Sequence, residues 1–223
     1  MKSELLKLTP FYVSQIIYWY VDYIPVNQPL FENNLHTAFI KCLPVSTLAL
    51  YLLTSGLPNA QVKSLFLGMV WSIGGDFCLV FPEYFIPGIL CFAVAQICFI
   101  SAFGFRPLKP FYALIIGVSM TYVLSLILPN IKEAPIKFGF PIYSALLGTM
   151  VWRALARLDQ GLVEFLTACG AVIFMISDAC IGINLFYYKL SHSQEIIMST
   201  YYLAQFLIAL SGAKWISNHE KTE

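Results

Sequence analysis

Apolar runs close to the roughly 20-residue length that crosses a bilayer's hydrocarbon core recur along the whole chain, separated by short polar or proline-bearing breaks. They predict helices at about 8–25, 36–55, 64–81, 85–103, 111–129, 139–157, 162–185 and 195–216. The breaks are Pro25 to Pro29 with Asn27, Ser55-Gly56-Leu57-Pro58-Asn59, Pro82-Glu83, Arg106-Pro107 to Pro110, and Pro129-Asn130. Each removes a helical hydrogen bond or favours a turn. The shortest loop, around Pro82 to Tyr84, makes the third and fourth spans an antiparallel hairpin. The expected fold is therefore an all-α, polytopic membrane bundle of about eight transmembrane helices, with residues 1–223 forming a single transmembrane domain.

Composition sharpens this reading. Hydrophobic residues make up 59% of the chain and charged residues 11%, against about one quarter charged in soluble globular chains. Water is not the main solvent, and no soluble domain fits in what remains. A net charge of +1 supplies no basic patch for phosphates, so nucleic acid is excluded as a partner. Cys42, Cys78, Cys91, Cys98, Cys169 and Cys180 all fall in apolar segments without a C-x-x-C pair. They read as small buried hydrophobes rather than a disulfide framework or thiolate metal site. Lys2 and Lys7 precede the first apolar run, but no small-residue cleavage site follows and the run continues through Trp19 and Tyr20. The segment is expected to be a retained first helix.

Eight spans would put both termini on one side. That side and its loops carry Lys2, Lys7, Lys63, Arg106, Lys109, Arg153, Arg157, Lys214 and Lys221, whereas the opposite loops and helix ends carry Lys41, Lys132, Lys137 and Lys189. Positive charge favours the cytoplasmic face, so both termini are expected there. Gly68 to Asp76 (G-M-V-W-S-I-G-G-D) parallels Gly170 to Asp178 (G-A-V-I-F-M-I-S-D), and Ala95-Gln96 has an echo in Ala204-Gln205. This suggests a four-plus-four internal repeat.

An ionisable residue inside a bilayer is costly and marks a candidate functional site. At ~1.5 Å rise per residue, Asp76 and Asp178 lie roughly 7–10 Å below the non-cytoplasmic end of their helices, and Lys41, Tyr201, Tyr202 and Gln205 lie ~8–15 Å from that same end. Distant residues thus converge on one layer. The functional reading is a pocket of two carboxylates, one lysine and several hydrogen-bond donors, open toward the non-cytoplasmic leaflet; the competing reading is a lysine–aspartate pair that glues helices. Two carboxylates with one lysine leave one acid without a counter-charge, the arrangement a general acid needs.

Other polar residues admit plainer readings. Asp22 ends the first span and is expected to face water. Asn184 is a cap or a ligand. Gly74 and Gly75 permit close approach to Asp76 or simply close helix packing. Arg153 and Arg157 read as topology determinants at the cytoplasmic surface. His36 and His192 share the outer side but lack a second ligand pair, as does His219, so no metal is expected. No G-x-S-x-G elbow is present.

At these residues the chain resembles the lysoplasmalogenase family, also called YhhN-like transmembrane proteins. The resemblance is carried by Lys41-Cys42-Leu43-Pro44, Gly75-Asp76-Phe77-Cys78-Leu79, Ile176-Ser177-Asp178 followed by Asn184 and Phe186, and Tyr201-Tyr202-Leu203-Ala204-Gln205. It covers nearly the whole chain. One departure stands in the fourth span, where the family commonly shows A-H-x-x-Y and this chain has Ala95-Gln96-Ile97-Cys98-Phe99.

The resemblance implies hydrolysis of the vinyl ether bond of lysoplasmalogens to a fatty aldehyde and a glycerophospho-ethanolamine or -choline, without a cofactor. The expected partners are a lysophospholipid substrate and membrane lipid, and the expected location is the endoplasmic reticulum or another endomembrane. Asp76 and Asp178 would share acid and charge-stabilising roles, as paired carboxylates do in glycoside hydrolysis. Lys41 would meet the lipid phosphate, while Tyr201, Tyr202, Gln205, Asn184 and Gln96 would line the substrate site. Two other readings compete: a lipid or small-solute transporter, against which no helix shows a paired Gly/Pro interruption, and a non-catalytic lipid-binding member of the family. The C-terminal Ser217 to Glu223 carries no clear retrieval or lipidation signal.

Overall fold

The computed structural model of the protein describes residues 6–23 and 34–219, with side chains described for 6–20 and 34–216. The Pro25–Pro29 break, Lys2, Lys221 and the Asp22 side chain lie outside that description. The described residues form helices and short turns, with no strand among them. In chain order these are α1 (Thr9–Ile17), which continues into a π-helical turn (Tyr18–Tyr23), α2 (Leu35–Ser55), α3 (Ala60–Cys78), α4 (Phe85–Phe103), α5 (Pro110–Ile127), α6 (Ala134–Leu155), α7 (Leu162–Phe186) and α8 (Ser193–His219). A 3₁₀ turn, Pro82–Tyr84, leads directly into α4 and closes the α3–α4 hairpin.

Local chemistry sets the helix ends. Asn34 and Asn59 cap α2 and α3, their Oδ1 atoms accepting from His36 N at 3.0 Å and Val62 N at 2.9 Å. These bonds satisfy first-turn N–H groups that have no partner within the helix. Proline occupies the first turn of α5 and of α6, where its missing N–H costs nothing. The Asn59 cap and the first-turn proline explain why α3 and α6 begin four and five residues before the apolar pattern does. Lys63 and Lys137 are polar but do not end a helix.

Five helical segments are long and apolar enough to cross a membrane: Leu35–Ser55, Pro82–Phe103, Pro110–Asn130, Leu162–Phe186 and Ser193–Ile216. The protein is thus an integral, multi-pass helical membrane protein. Helices α1, α3 and α6 fall outside that set. The α-helical part of α1 is 9 residues long, while α3 carries Gln61, Lys63, Ser72 and Asp76, and α6 carries Lys137, Ser144, Thr149 and Arg153.

One buried apolar cluster draws on every helix from α1 to α8. Packing is most extensive between α3 and α4 and between α7 and α8. Glycine permits this closeness in both pairs. A Cβ on Gly75 would lie 2.5 Å from the Phe92 ring, and one on Gly170 would lie 3.0 Å from the Ala204 carbonyl oxygen. Close helix packing therefore accounts for Gly75 and Gly170. Helix α5 is the loosest element, burying only Ile116 and Ile127.

The structure corrects the expectation for Arg153. Its side chain is fully buried. Nε donates to the Gly104 carbonyl at 2.6 Å and Nη1 to that of Leu108 at 3.4 Å, while the guanidinium lies 5.1 Å from the Trp152 ring centroid and 5.7 Å from that of Phe105. Arg157 donates to Phe103 O at 3.0 Å and pairs with Glu164 at 3.1 Å. Both arginines tie α6 to the end of α4. The reason is that the last carbonyls of α4 have no intrahelical donor, and a long cationic side chain supplies one.

Candidate functional site

Near the end of α3, Asp76 is 2% exposed and accepts a hydrogen bond at 2.6 Å from the hydroxyl of Tyr201 on α8. On α7, half-buried Asp178 accepts one at 2.5 Å from the hydroxyl of Tyr143 on α6. Each carboxylate thus has a phenol as its donor, and short bonds of this kind to an acid are strong and directional. Tyr201 is held edge-on between Phe92 and Phe174, with centroids 5.9 and 5.7 Å away. Beside Asp178, Ser177 donates to the Ile197 carbonyl at 2.9 Å and binds α7 to α8.

Asp76, Asp178, Tyr143, Tyr201 and Lys41 all line one cavity of about 330 Å³. Most of the remaining wall is apolar, contributed mainly by α4, α5, α6 and α7. Lys41, on α2, is itself buried and lies within electrostatic reach of Asp76. The predicted convergence of one lysine and two carboxylates from three helices is therefore present in the geometry.

The other expected substrate-facing residues stand elsewhere. Tyr202 does not line the cavity; its hydroxyl donates to the Lys41 carbonyl at 2.9 Å and fastens α8 to α2. Gln205 stands behind Tyr201, its Nε2 3.4 Å from the Tyr201 hydroxyl. Gln96 is fully buried beside Tyr143, and among the described residues neither amide atom has a hydrogen-bond partner of good geometry. Asn184 accepts from Leu190 N at 3.0 Å, so its side chain ties down the α7–α8 turn. Asn184→Ala is accordingly expected to lower stability by about 1–3 kcal/mol, the cost of leaving a buried donor unpaired, with kcat unchanged; detergent unfolding curves and turnover measured on the same sample check both.

Tyr143 was not singled out by the sequence, yet a signal for it exists. It precedes Asp178 by 35 residues, the same spacing that separates Lys41 from Asp76. Carrying the suggested repeat back one span would have marked it. Its chemistry gave no such signal, because tyrosine is common and inexpensive in membrane helices. Among the described residues no three His, Cys, Asp or Glu side chains gather as metal ligands would; His192 pairs with Glu195 at 2.9 Å.

The chain is thus a multi-pass helical bundle that gathers two tyrosine-bonded carboxylates and a lysine on the wall of a largely apolar cavity. The chain belongs to the YhhN family, whose model matches residues 36–212 and so takes in Lys41, Asp76, Tyr143, Asp178 and Tyr201. It is 36% identical over 225 residues to the human lysoplasmalogenase TMEM86A, covering 96% of this chain and 91% of that one. With the human lysoplasmalogenase TMEM86B it shares 34% identity over 207 residues, covering 93% and 86%. A lysoplasmalogenase homolog of Dictyostelium discoideum is 26% identical over 196 residues, covering 69% and 64%. No solved structure matches the chain.

Proposed function

We propose that this protein is an integral-membrane hydrolase that cleaves the vinyl ether bond of lysoplasmalogen, releasing a fatty aldehyde and glycerophospho-ethanolamine or -choline. The observation that carries the reading is the pair of carboxylates, each held by a tyrosine, on one apolar cavity wall. The lysoplasmalogenase names of the relatives supply the substrate class.

Vinyl ether hydrolysis begins with proton transfer to the β-carbon, which leaves an oxocarbenium ion across the α-carbon and the ether oxygen. Water adds to the α-carbon and loses a proton, and the resulting hemiacetal breaks into aldehyde and alcohol. One aspartate donates the first proton; the other stabilises the cation and orients the water. Tyr143 and Tyr201 hold the two carboxylates in position. Lys41 meets the phosphate as a point charge, and the apolar wall receives the alkenyl chain. Cleavage run in D2O is expected to place one deuterium on the aldehyde carbon next to the carbonyl, read by mass spectrometry of the early product; an unlabelled product would sink the carbon-protonation route.

Tyr143→Phe and Tyr201→Phe each delete one hydrogen bond to a carboxylate, worth about 1.5–3 kcal/mol. Each is expected to lower kcat by roughly 10- to 100-fold while leaving KM within about threefold. Purified protein in detergent, assayed for aldehyde release, tests this.

The reading extends to the membrane arrangement. All eight helices cross the bilayer with both termini cytoplasmic, in an endomembrane such as the endoplasmic reticulum. Supporting this, four of the polar residues that lower the hydropathy of α3 and α6, Ser72, Asp76, Ser144 and Arg153, are buried, as the cost of polar groups in lipid requires, while the exposed Lys63 and Lys137 lie in the first turns of these helices. Glycosylation tags placed after Pro58 and after Lys132 check the orientation; only the second should be modified. A second reading, non-catalytic lipid binding, draws on Gln96, a buried amide at the position where the family pattern has histidine. Wild-type aldehyde release decides between them.

A further inference from the structure

The cavity wall is not closed by protein on every side. Ile86 and Leu90, one turn apart on α4, and Ile142 on α6 all line the cavity, yet they are 44%, 60% and 67% exposed. A side chain is both wall and surface only at a mouth. Helices α4 and α5 scarcely touch, which leaves the space between them unfilled. Gly139, four residues before Tyr143 and so on the same face of α6, also lines the cavity, and a Cβ there would meet nothing within 4 Å. The mouth carries no charged side chain, and α4 and α5 both lie within segments apolar enough to span a membrane. An apolar rim of this kind has the chemistry of an opening onto hydrocarbon.

We propose that the lipid chain enters the cavity laterally from the bilayer, through the gap between α4 and α5 that Ile86, Leu90 and Ile142 border. This rests on the lipid-hydrolase reading for its substrate, and the size of the cavity is compatible with it. A cavity of 150 Å³ houses the six carbons of benzene, so about 330 Å³ holds on the order of a dozen carbons. That is most of one lipid chain. The chain lies along the apolar wall from the mouth inward, and its reactive end reaches the two aspartates.

The test is a matched pair of glycine substitutions. Gly139→Leu places a side chain in the mouth. Gly117→Leu, on α5 and away from the cavity, adds the same side chain at another helical glycine with open space around it. Both replace glycine by a good helix former and should fold. Wild type and both variants are placed in phosphatidylcholine nanodiscs with a lysophosphatidylcholine bearing a diazirine at mid-chain, and the cross-linked peptides are mapped by mass spectrometry.

Labelling concentrated on residues 86–90 and 139–142 is expected in wild type and Gly117→Leu, reduced at least fivefold in Gly139→Leu. Excess unlabelled lysophosphatidylcholine should compete. Equal labelling of the two variants, or labelling spread evenly over the lipid-facing helices, would overturn the lateral entry. Aldehyde release from lysoplasmalogen is measured on the same samples. Wild-type cleavage with identical labelling and KM in both variants would overturn the entry route and leave the hydrolase standing. The expected labelling without wild-type cleavage would support the route while removing the hydrolase reading.

Discussion

Asp76→Asn and Asp178→Asn are each expected to lower the rate of aldehyde release from lysoplasmalogen by about 10²–10⁴-fold, the usual contribution of a positioned general acid or base. Asparagine keeps the size of the side chain and a carbonyl oxygen that still accepts from Tyr201 or Tyr143, so the helix contacts survive. What disappears is the proton or the negative charge. Because proton donation and cation stabilisation act in one transition state, the double variant should be little worse than either single one. Thermal unfolding in detergent within a few degrees of wild type would show that the loss is chemical. Full activity in either variant would remove that aspartate from the mechanism, and unimpaired activity in both would remove the mechanism.

Arg153→Ala is expected to have the largest effect on stability, a loss of about 3 kcal/mol. The Leu108 carbonyl also accepts from Trp152 Nε1 at 2.8 Å and keeps that donor, but the Gly104 carbonyl loses its 2.6 Å bond from Arg153. Hydrogen bonds to charged groups contribute about 1.5–3 kcal/mol, and the guanidinium's packing on Phe105 and Trp152 adds about 0.5–2 kcal/mol. Relief of the cation's desolvation offsets part of this sum. Arg153→Lys should recover less than half of the loss, since an ammonium lacks the planar fork that reaches two carbonyls at once. Unfolding in mixed detergent measures both variants. A change below 0.5 kcal/mol in Arg153→Ala would mean the cross-brace between α4 and α6 is idle.

The effects expected at Asp178 and at Arg153 differ in kind, and so did their visibility in the sequence. Asp178 was conspicuous because a carboxylate within an apolar run is costly wherever the helix points. Arg153 was visible too, but its position near a span end matched a solvated topology marker equally well. Only the packing of α6 against α4 shows that Gly104 O needs a donor there. Asn184 was ambiguous for a related reason: a cap and a ligand look alike until the chain reversal that brings back Leu190 N is known.

Hydropathy and helix breakers are local quantities that accumulate along the chain, and they determined the solvent, the class, the approximate helices and the two expensive acids. Depth along a helix follows from rise per residue alone, so the shared layer of Lys41, Asp76, Asp178 and Tyr201 was also legible. Which way each helix turns its side chains is not local. Rotation and partner choice depend on how glycines such as Gly75 and Gly170 let helices close on one another. That decided that Tyr143 faces Asp178, that Tyr202 and Gln205 stand behind the cavity wall, and that the wall opens between α4 and α5. A tyrosine has an apolar body and a polar tip and suits lipid, core or cavity. Its role is set by the neighbour its hydroxyl meets, and only the tertiary structure supplies that neighbour.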